Sequence, residues 1–177
     1  MFFCKKGVRK ISSEFIKSKM RTVKKFSIAF AKWVFIACAV GVVGGIVGSL
    51  FHMAVNFATG FRQGHSWTLY LMPLAGLFII FSYRVCKVDE ETGTNLIRSS
   101  VRGNIKVPLL MAPLIFLGTV LTHLTGGSAG REGAALQLGG SIGAKAGELL
   151  KLDEKDSSLV IMCGMSAVFA ALFGTPL

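Results

Sequence analysis

The amino-acid sequence predicts an all-α, polytopic membrane protein, and three observations support that prediction. Hydrophobic residues make up 52% of the 177 residues and charged residues only 16%, and the mean hydropathy is +0.60. A soluble domain of this length requires more polar surface than that. The apolar residues also fall in long charge-free runs. Lipid is therefore the expected solvent for most of the chain.

The first 25 residues form a basic tail. They carry nine Lys or Arg and a single acidic residue, Glu14, directly before a hydrophobic run. This position favours a cytoplasmic segment that faces lipid headgroups over one that binds nucleic acid. Apolar residues at roughly helical spacing from Ile11 to Val23 predict an interfacial helix within the tail. We therefore expect a tail over residues 1–25 and a transmembrane domain over residues 26–177.

Two long apolar runs open the transmembrane part. The first, Trp33 to Gly60, has 28 residues without Lys, Arg, Asp or Glu, which is more than a hydrocarbon core of about 30 Å requires, so its helix should tilt. It contains two overlapping GxxxG pairs, typical of close helix packing either within one bundle or between two subunits. The second run, Gly64 to Tyr83, includes Pro73 as an expected kink.

Three further helices are expected after a polar stretch. The third span covers Val107 to Thr125, and a helix from about Glu132 to Leu150 follows a glycine-rich segment. The loop at 151–158 then leads into a last apolar run from Leu159. Glycines four residues apart on the helix after Glu132 predict a packing stripe, formed by Gly139, Gly143 and Gly147.

Loop charges predict the orientation in the membrane. The tail has nine basic residues, the 84–106 segment has five, and the connection around Arg62 has one. The positive-inside rule then places the tail and the 84–106 segment in the cytoplasm. We expect a multi-pass protein of the cell membrane with a cytoplasmic N-terminus.

The stretch GGSAGREGAALQLGGSIG, residues 126–143, places Arg131 and Glu132 inside an apolar region, where a charge is costly. Glycines precede the pair and a good helix-forming sequence follows it, so a helix is expected to begin within the membrane. Free backbone N–H groups and the positive dipole end at such a terminus attract an anion. Glu132 could occupy that place as a carboxylate, then protonate and yield to a halide. The alternative is that Glu132 only complements the helix dipole while Arg131 extends to the interface.

The stretch ETGTNLIRSS is a second interruption. Gly93 breaks the chain, and Thr94 and Asn95 offer a hydroxyl and an amide at the start of a short helix. Thr94 as a simple N-cap is one interpretation. The other is a second helix N-terminus aimed at the same anion.

Other classes of function find little support in the sequence. The four cysteines and three histidines are dispersed without metal-ligand spacing, so we expect reduced thiols and neither metal nor cofactor. Asp89, Glu90 and Glu91 are typical of a solvated face, and no arrangement of catalytic residues points to an enzyme.

At these two interruptions the sequence resembles the CLC family of chloride channels and proton-coupled antiporters. GREGAALQLGG is similar to the family's GREGP motif and FGTPL to its Asn-Ala-Pro-Leu stretch, over residues of about 30 to 177. The resemblance implies the first inverted-repeat half of the CLC fold, with tilted and broken helices. It also implies that Glu132 is the gating glutamate that alternates with the anion and carries protons. Gly130, Arg131 and Gly133 would shape the anion-binding loop, with Ala134 in place of the motif's proline.

The second motif departs from the chloride-selective pattern. Those members have Gly-Ser-Gly-Ile-Pro, whereas this chain has Gly93, Thr94 and Asn95 followed by Leu-Ile. This departure resembles the fluoride/proton antiporter branch, with Thr94 in the serine's place among the anion-binding residues. A chloride channel or chloride/proton antiporter is the alternative within the family.

The resemblance covers only the first of the family's two inverted halves. It therefore implies that the chain is a fragment of a larger transporter, which by the family's pattern forms a homodimer in the bilayer and carries halide and protons. A membrane fragment that folds or assembles without transporting anything is the alternative from another class.

Overall fold

The computed structural model describes residues 3–86 and 108–175, including the side chains of Met20 and of every residue from Val23 onward in these ranges. Within them the elements are all helical, which confirms the predicted all-α class. In chain order they are α1 (Phe3–Gly64), a 3-10 helix (Ser66–Leu71), α2 (Met72–Val85), α3 (Met111–Leu124), α4 (Arg131–Leu149) and α5 (Glu154–Phe173). The chain divides into two compact units, residues 1–38 and 39–177.

Residues 1–38 hold the N-terminal part of α1. Large apolar side chains toward the C-terminal end of this unit are exposed, among them Phe26, Phe30 and Phe35, at 63–77% of their full surface. Exposed aromatic side chains at this density are typical of a surface that meets lipid.

Three helical segments of the described residues are long and apolar enough to cross a membrane: Val23–Gly64, Ser66–Val85 and Glu154–Phe173. The predicted third span is wrong in length, because α3 has 14 residues and begins at Met111. Pro108 has no N–H and favours a turn, and the N–H of Met111 donates to its carbonyl at 3.0 Å. The chain therefore turns before it enters α3.

The sequence predicts a kink at Pro73, and this prediction is wrong. Pro73 lies in the first turn of α2, where a proline lacks no hydrogen bond, and a 3-10 helix precedes it. The last helix also differs from the prediction, because α5 begins at Glu154. Glu154 and Asp156 fall in its first turn, where negative charge is favourable, so most of the predicted loop at 151–158 is helical.

The core of residues 39–177 lies where α1, α3, α4 and α5 meet. Phe51 and Val55 of α1 are fully buried there, and Phe51 packs edge-on against Phe116 with ring centroids 5.5 Å apart. The other members of the cluster are apolar and buried: Met111, Ile115, Ala134, Ala135, Leu138, Val168 and Leu172. This core holds the first two turns of α4 against three other helices.

The glycine stripe on α4 packs against α5, as the sequence predicts. A methyl group at Gly143 would lie 2.6 Å from the backbone of Ile161, and one at Gly139 would overlap the backbone of Gly164. A methyl group at Gly147 would lie 2.6 Å from the side-chain oxygen of Ser157. We call this line of three glycines the glycine seam. At Gly139 and Gly143 backbone contacts backbone, so a larger side chain is excluded there.

The GxxxG pairs of α1 divide between two surfaces. Gly44 and Gly48 are buried against α5, where an added Cβ would lie 2.9 Å from Ala167 and 2.8 Å from Ala171. No described atom outside the helix lies within 4 Å of a Cβ at Gly41 or Gly45. One pair therefore packs within the bundle, and the other does not within the described chain.

Three helices end in the same capping arrangement, in which a left-handed residue follows the last turn. At the end of α3 it is Gly126, with φ 89°, and at the end of α5 it is Gly174, with φ 64°. At the end of α4 it is Lys151, with φ 49°, and the N–H of Leu152 donates to the carbonyl of Gly147. A lysine there is strained relative to glycine.

Candidate functional site

The candidate site is the N-terminal turn of α4. The helix begins at Arg131, within one residue of the predicted start at Glu132, and Gly130 precedes it in an extended conformation, φ −68° and ψ 116°. No side chain caps the terminus. The first backbone N–H groups of an α-helix have no partner within the helix. The turn thus offers donors and the positive end of the dipole, as an anion site requires.

The turn between α3 and α4 is fixed by glycine. Gly126 has a positive φ, and a Cβ on it would lie 2.7 Å from the Leu69 side chain and 3.4 Å from that of Arg62. The next residue, Gly127, donates its N–H to the carbonyl of Thr122 at 2.8 Å. The positive φ disfavours a larger residue at 126, so glycine at this position fixes the turn that leads to the start of α4.

Both charged side chains of the turn are exposed on the surface of the chain. Glu132 is the acidic residue in the first turn of α4, and Arg131 lies beside it. In contrast, Ala134 and Ala135 in the same turn and a half belong to the core. The backbone is thus anchored while the two charged side chains are exposed.

Arg131 contacts α1, through a residue that the sequence analysis did not identify. Its Nη1 donates to Asn56 Oδ1 at 3.5 Å, and Asn56 Nδ2 lies 2.8 Å from His52 Nε2. His52 and Asn56 are four residues apart, hence on one face of a helix, inside a charge-free run. That spacing is a signal from which their association could have been found.

A cavity of about 270 Å³ lies on another side of the same turn. Gly130, Gly133 and Gln137 line it from the α4 side, together with Tyr83 of α2 and Thr122 of α3. Thr122 donates its hydroxyl hydrogen to the Gly118 carbonyl at 2.7 Å. The two motif glycines leave this face of the turn open to a small species.

The other predicted anion-binding residues, Gly93, Thr94 and Asn95, lie outside the described residues. Whether they approach Glu132 therefore stays a prediction, as does the role of Glu132 itself. In the described part of the chain no group of three or more His, Cys, Asp or Glu side chains could hold a metal ion.

Proteins of known type resemble this chain over most of its length. A "Chloride/fluoride channel protein" of Pseudomonas syringae pv. tomato is 36% identical over 163 residues, which are 90% of this chain and 36% of that protein. An "H(+)/Cl(-) exchange transporter ClcA" of Vibrio vulnificus is 26% identical, over 81% of this chain and 34% of the relative. These relatives are named as channels or transporters and not as enzymes.

A solved structure shows the same likeness in three dimensions. The crystal structure of a CLC-type fluoride/proton antiporter matches with a TM-score of 0.75 and 37% identity, over 80% of this chain and 36% of that one. This chain thus spans about a third of the length of the proteins it matches. The family profile described as "Voltage gated chloride channel" matches residues 75–177, more than half of the chain. The chain belongs to the voltage gated chloride channel (CLC) family.

Proposed function

We propose that this chain forms the glutamate-bearing part of a CLC-type halide transporter that exports fluoride in exchange for protons. The observation that carries the proposal is the position of Glu132, in the first turn of α4, directly after the break between α3 and α4. The names of the relatives, a chloride/fluoride channel, a proton/chloride exchanger and a fluoride/proton antiporter, support halide and proton as cargo.

The proposed mechanism is a competition at the start of α4. A charged Glu132 carboxylate and a halide both require the N–H donors of this turn, and each excludes the other. Protonation removes the carboxylate's charge, so the side chain leaves the donors and an anion takes its place. The return of the carboxylate then expels the anion and releases a proton, which couples the two fluxes. Gly130 and Gly133 keep the backbone accessible, and Arg131 adds positive charge.

The choice of fluoride rests on the second motif. Gly93, Thr94 and Asn95 stand where chloride-selective members have Gly-Ser-Gly, and the fluoride/proton antiporter shares 37% identity with this chain. Fluoride is small and strongly hydrated, so a hydroxyl and an amide are suitable replacements for its water. A chloride/proton exchanger is the second candidate, favoured by the likeness to the exchanger of Vibrio vulnificus.

The setting that we propose follows the charge pattern and the family. The protein is a multi-pass protein of the cell membrane, its basic N-terminal tail lies on the cytoplasmic side, and two copies form a homodimer. The three apolar helical segments support the membrane setting, and the nine basic residues of the tail support the orientation.

Efflux from liposomes tests the proposal. The intact protein that contains this sequence is reconstituted in vesicles loaded with fluoride or chloride, and anion efflux is measured together with proton uptake. We expect fluoride efflux to exceed chloride efflux and to be accompanied by protons. Glu132→Gln should abolish the proton uptake, because the amide cannot carry a proton.

Glu148→Gln is the matched control, since Glu148 is exposed at the other end of the same helix. It should leave both fluxes as in the wild type. Preference for chloride would overturn the fluoride assignment and leave the family mechanism. Proton-coupled transport that is unchanged in Glu132→Gln would overturn the gating role, and no transport of either halide would overturn the transporter proposal.

A further inference from the structure

Three polar side chains form a chain of contacts between α1 and the candidate site. Arg131 Nη1 donates to Asn56 Oδ1 at 3.5 Å, and Asn56 Nδ2 lies 2.8 Å from His52 Nε2. Asn56 is exposed and His52 half-buried. Polar groups within a membrane span are costly unless they are paired, so this chain of contacts requires an explanation beyond helix packing.

The donors and acceptors in this chain can be arranged in one way only. A guanidinium group has N–H donors and no acceptor, so Asn56 must present its oxygen to Arg131. The amide nitrogen then faces His52 and donates to Nε2, which must be an unprotonated acceptor. When the imidazole is neutral, this arrangement places its hydrogen on Nδ1. Arg131 thus determines the tautomer of His52 through the orientation of the Asn56 amide.

The Nδ1 atom of His52 is buried and has no hydrogen-bond partner among the described residues. Two other histidines in these helices place the same atom near the carbonyl four residues back, His65 at 3.1 Å from Phe61 and His123 at 2.8 Å from Thr119. His52 lacks that local contact, so its ring is held on one side only, by Asn56. Asn56 is the one described partner that sets the orientation of the ring.

We infer that Asn56 is a positioning residue for Arg131, and that it makes the position of this arginine depend on the protonation state of His52. A proton added to His52 goes to Nε2 and converts it into a donor. Asn56 must then turn its oxygen to His52 and its NH₂ group to Arg131, where two donors face each other. The contact with Arg131 is lost, next to Glu132. The inference rests on the proposed function of Glu132 and assigns a regulatory input to that site.

The other charged and titratable groups of α3, α4 and α5 are either engaged elsewhere or distant from His52. On α4, Arg131 and Glu132 lie at the near end, and Lys145 and Glu148 pair with each other about four turns further on. On α3 the titratable side chain is His123, which is engaged with Thr119. The α5 residues that pack against α1 are apolar, and its charged residues, Glu154, Lys155 and Asp156, lie in its first turn.

Nitrogen NMR of the histidine side chains tests the arrangement without any measurement of transport. In the intact protein, labelled with ¹⁵N-histidine and purified in micelles, we expect neutral His52 to carry its hydrogen on Nδ1. Assignment comes from the resonance that disappears in His52→Phe. Asn56→Leu keeps the side-chain size and removes both polar atoms, so it should shift His52 toward the Nε2–H tautomer that free imidazole side chains prefer. An Nε2–H tautomer in the wild type would overturn the inference.

The pH profile of fluoride efflux tests the consequence for the site. Asn56→Leu should lower efflux at neutral pH by about threefold to tenfold, the equivalent of one ordinary hydrogen bond. His52→Phe should alter the acid side of the efflux profile, because phenylalanine cannot be protonated. His65→Phe, the control in the same helix, should keep the wild-type profile. An Asn56→Leu protein with wild-type rate and profile would overturn the positioning role. If Glu132→Gln leaves transport unchanged while the NMR result holds, the proposed function fails and the histidine arrangement stands.

Discussion

The two ends of α4 differ in how closely the neighbouring helices pack against them. At Gly139 and Gly143 the helix contacts α5 backbone to backbone, and a single added methyl group has no room. At its first turn, Arg131 and Glu132 are exposed, and the contact that holds Arg131 is a single long hydrogen bond of 3.5 Å. One part of the helix is fixed by packing, whereas the other presents charges that few contacts of the described chain restrain.

Under the proposed function, this difference separates stability from transport along a single helix. The glycine seam and the core around Leu138 fix the axis of α4, and therefore also fix where its N–H donors lie. Glu132 can then move without disturbing the packing, as the proposed gating role requires. Substitutions in the seam should thus change stability, and substitutions in the first turn should change transport.

The largest expected effect is that of Gly143→Leu. Its side chain would meet the backbone of Val160 and Ile161 at 2.6 Å, and backbone cannot move aside as a flexible side chain can. We expect a loss of roughly 3 kcal/mol or more in the free energy of unfolding, measured by SDS-induced unfolding followed by circular dichroism. Gly76→Leu, at a helical glycine with open space around it, is the control and should change little. Equal stability of the two variants would mean that the seam is not packed as described.

A smaller effect distinguishes two adjacent glycines of α1. Gly44→Leu places its side chain against Ala167 and Val168, and should cost about 1–3 kcal/mol. Gly45→Leu enters open space within the described chain and should be neutral or stabilising, because leucine favours a helix more than glycine does. Unfolding of both in the same detergent gives the comparison. A cost at Gly45 with none at Gly44 would reverse the assignment of the two faces.

Lys151→Gly should stabilise the protein. Lys151 holds a left-handed conformation, φ 49°, at the end of α4, which costs a side chain roughly 1 kcal/mol relative to glycine. We expect a gain of about that size in the same unfolding assay. Lys145→Gly, in the interior of the same helix, is the control and should be destabilising. A loss of stability in Lys151→Gly would contradict the capping arrangement.

The smallest effect is expected for the ion pair of α4. Lys145 Nζ lies 2.8 Å from Glu148 Oε2, but the two side chains are 37% and 72% exposed. Lys145→Met should therefore change the unfolding free energy by no more than about 0.5 kcal/mol. A change as large as that of Gly44→Leu would show that exposed charges of α4 contribute to stability as its glycines do, and the two ends would no longer differ.

Periodicity and punctuation in the sequence predict most of the helices. The start of α4 follows from the glycines before Arg131, and the seam follows from glycines at a spacing of four. The predicted length of α3 and the predicted kink at Pro73 were wrong. Hydropathy measures how apolar a segment is and does not show where a proline begins a helix. The burial of Gly44 rather than Gly45 depends on where α5 lies, and no local pattern contains that information.

The candidate site divides in the same way. A charged pair in an apolar context identifies Arg131 and Glu132, since the energetic cost itself is visible in the sequence. The contact of Asn56 with Arg131 could be found only from the structure, because the two residues are 75 positions apart in the sequence. The same holds for His52, which reaches Arg131 through Asn56. Their spacing of four indicates a shared face, but only the packing of α1 against α4 shows what that face meets.

Calorimetric titration of the purified, intact protein with fluoride tests the central claim most directly. If the Glu132 carboxylate competes with the anion for the donors at the start of α4, fluoride binding by the wild type must take up protons, and its affinity must fall as pH rises. Glu132→Gln should bind fluoride more tightly at high pH, with no proton uptake. Equal affinity and equal proton uptake in the two proteins would contradict the claim.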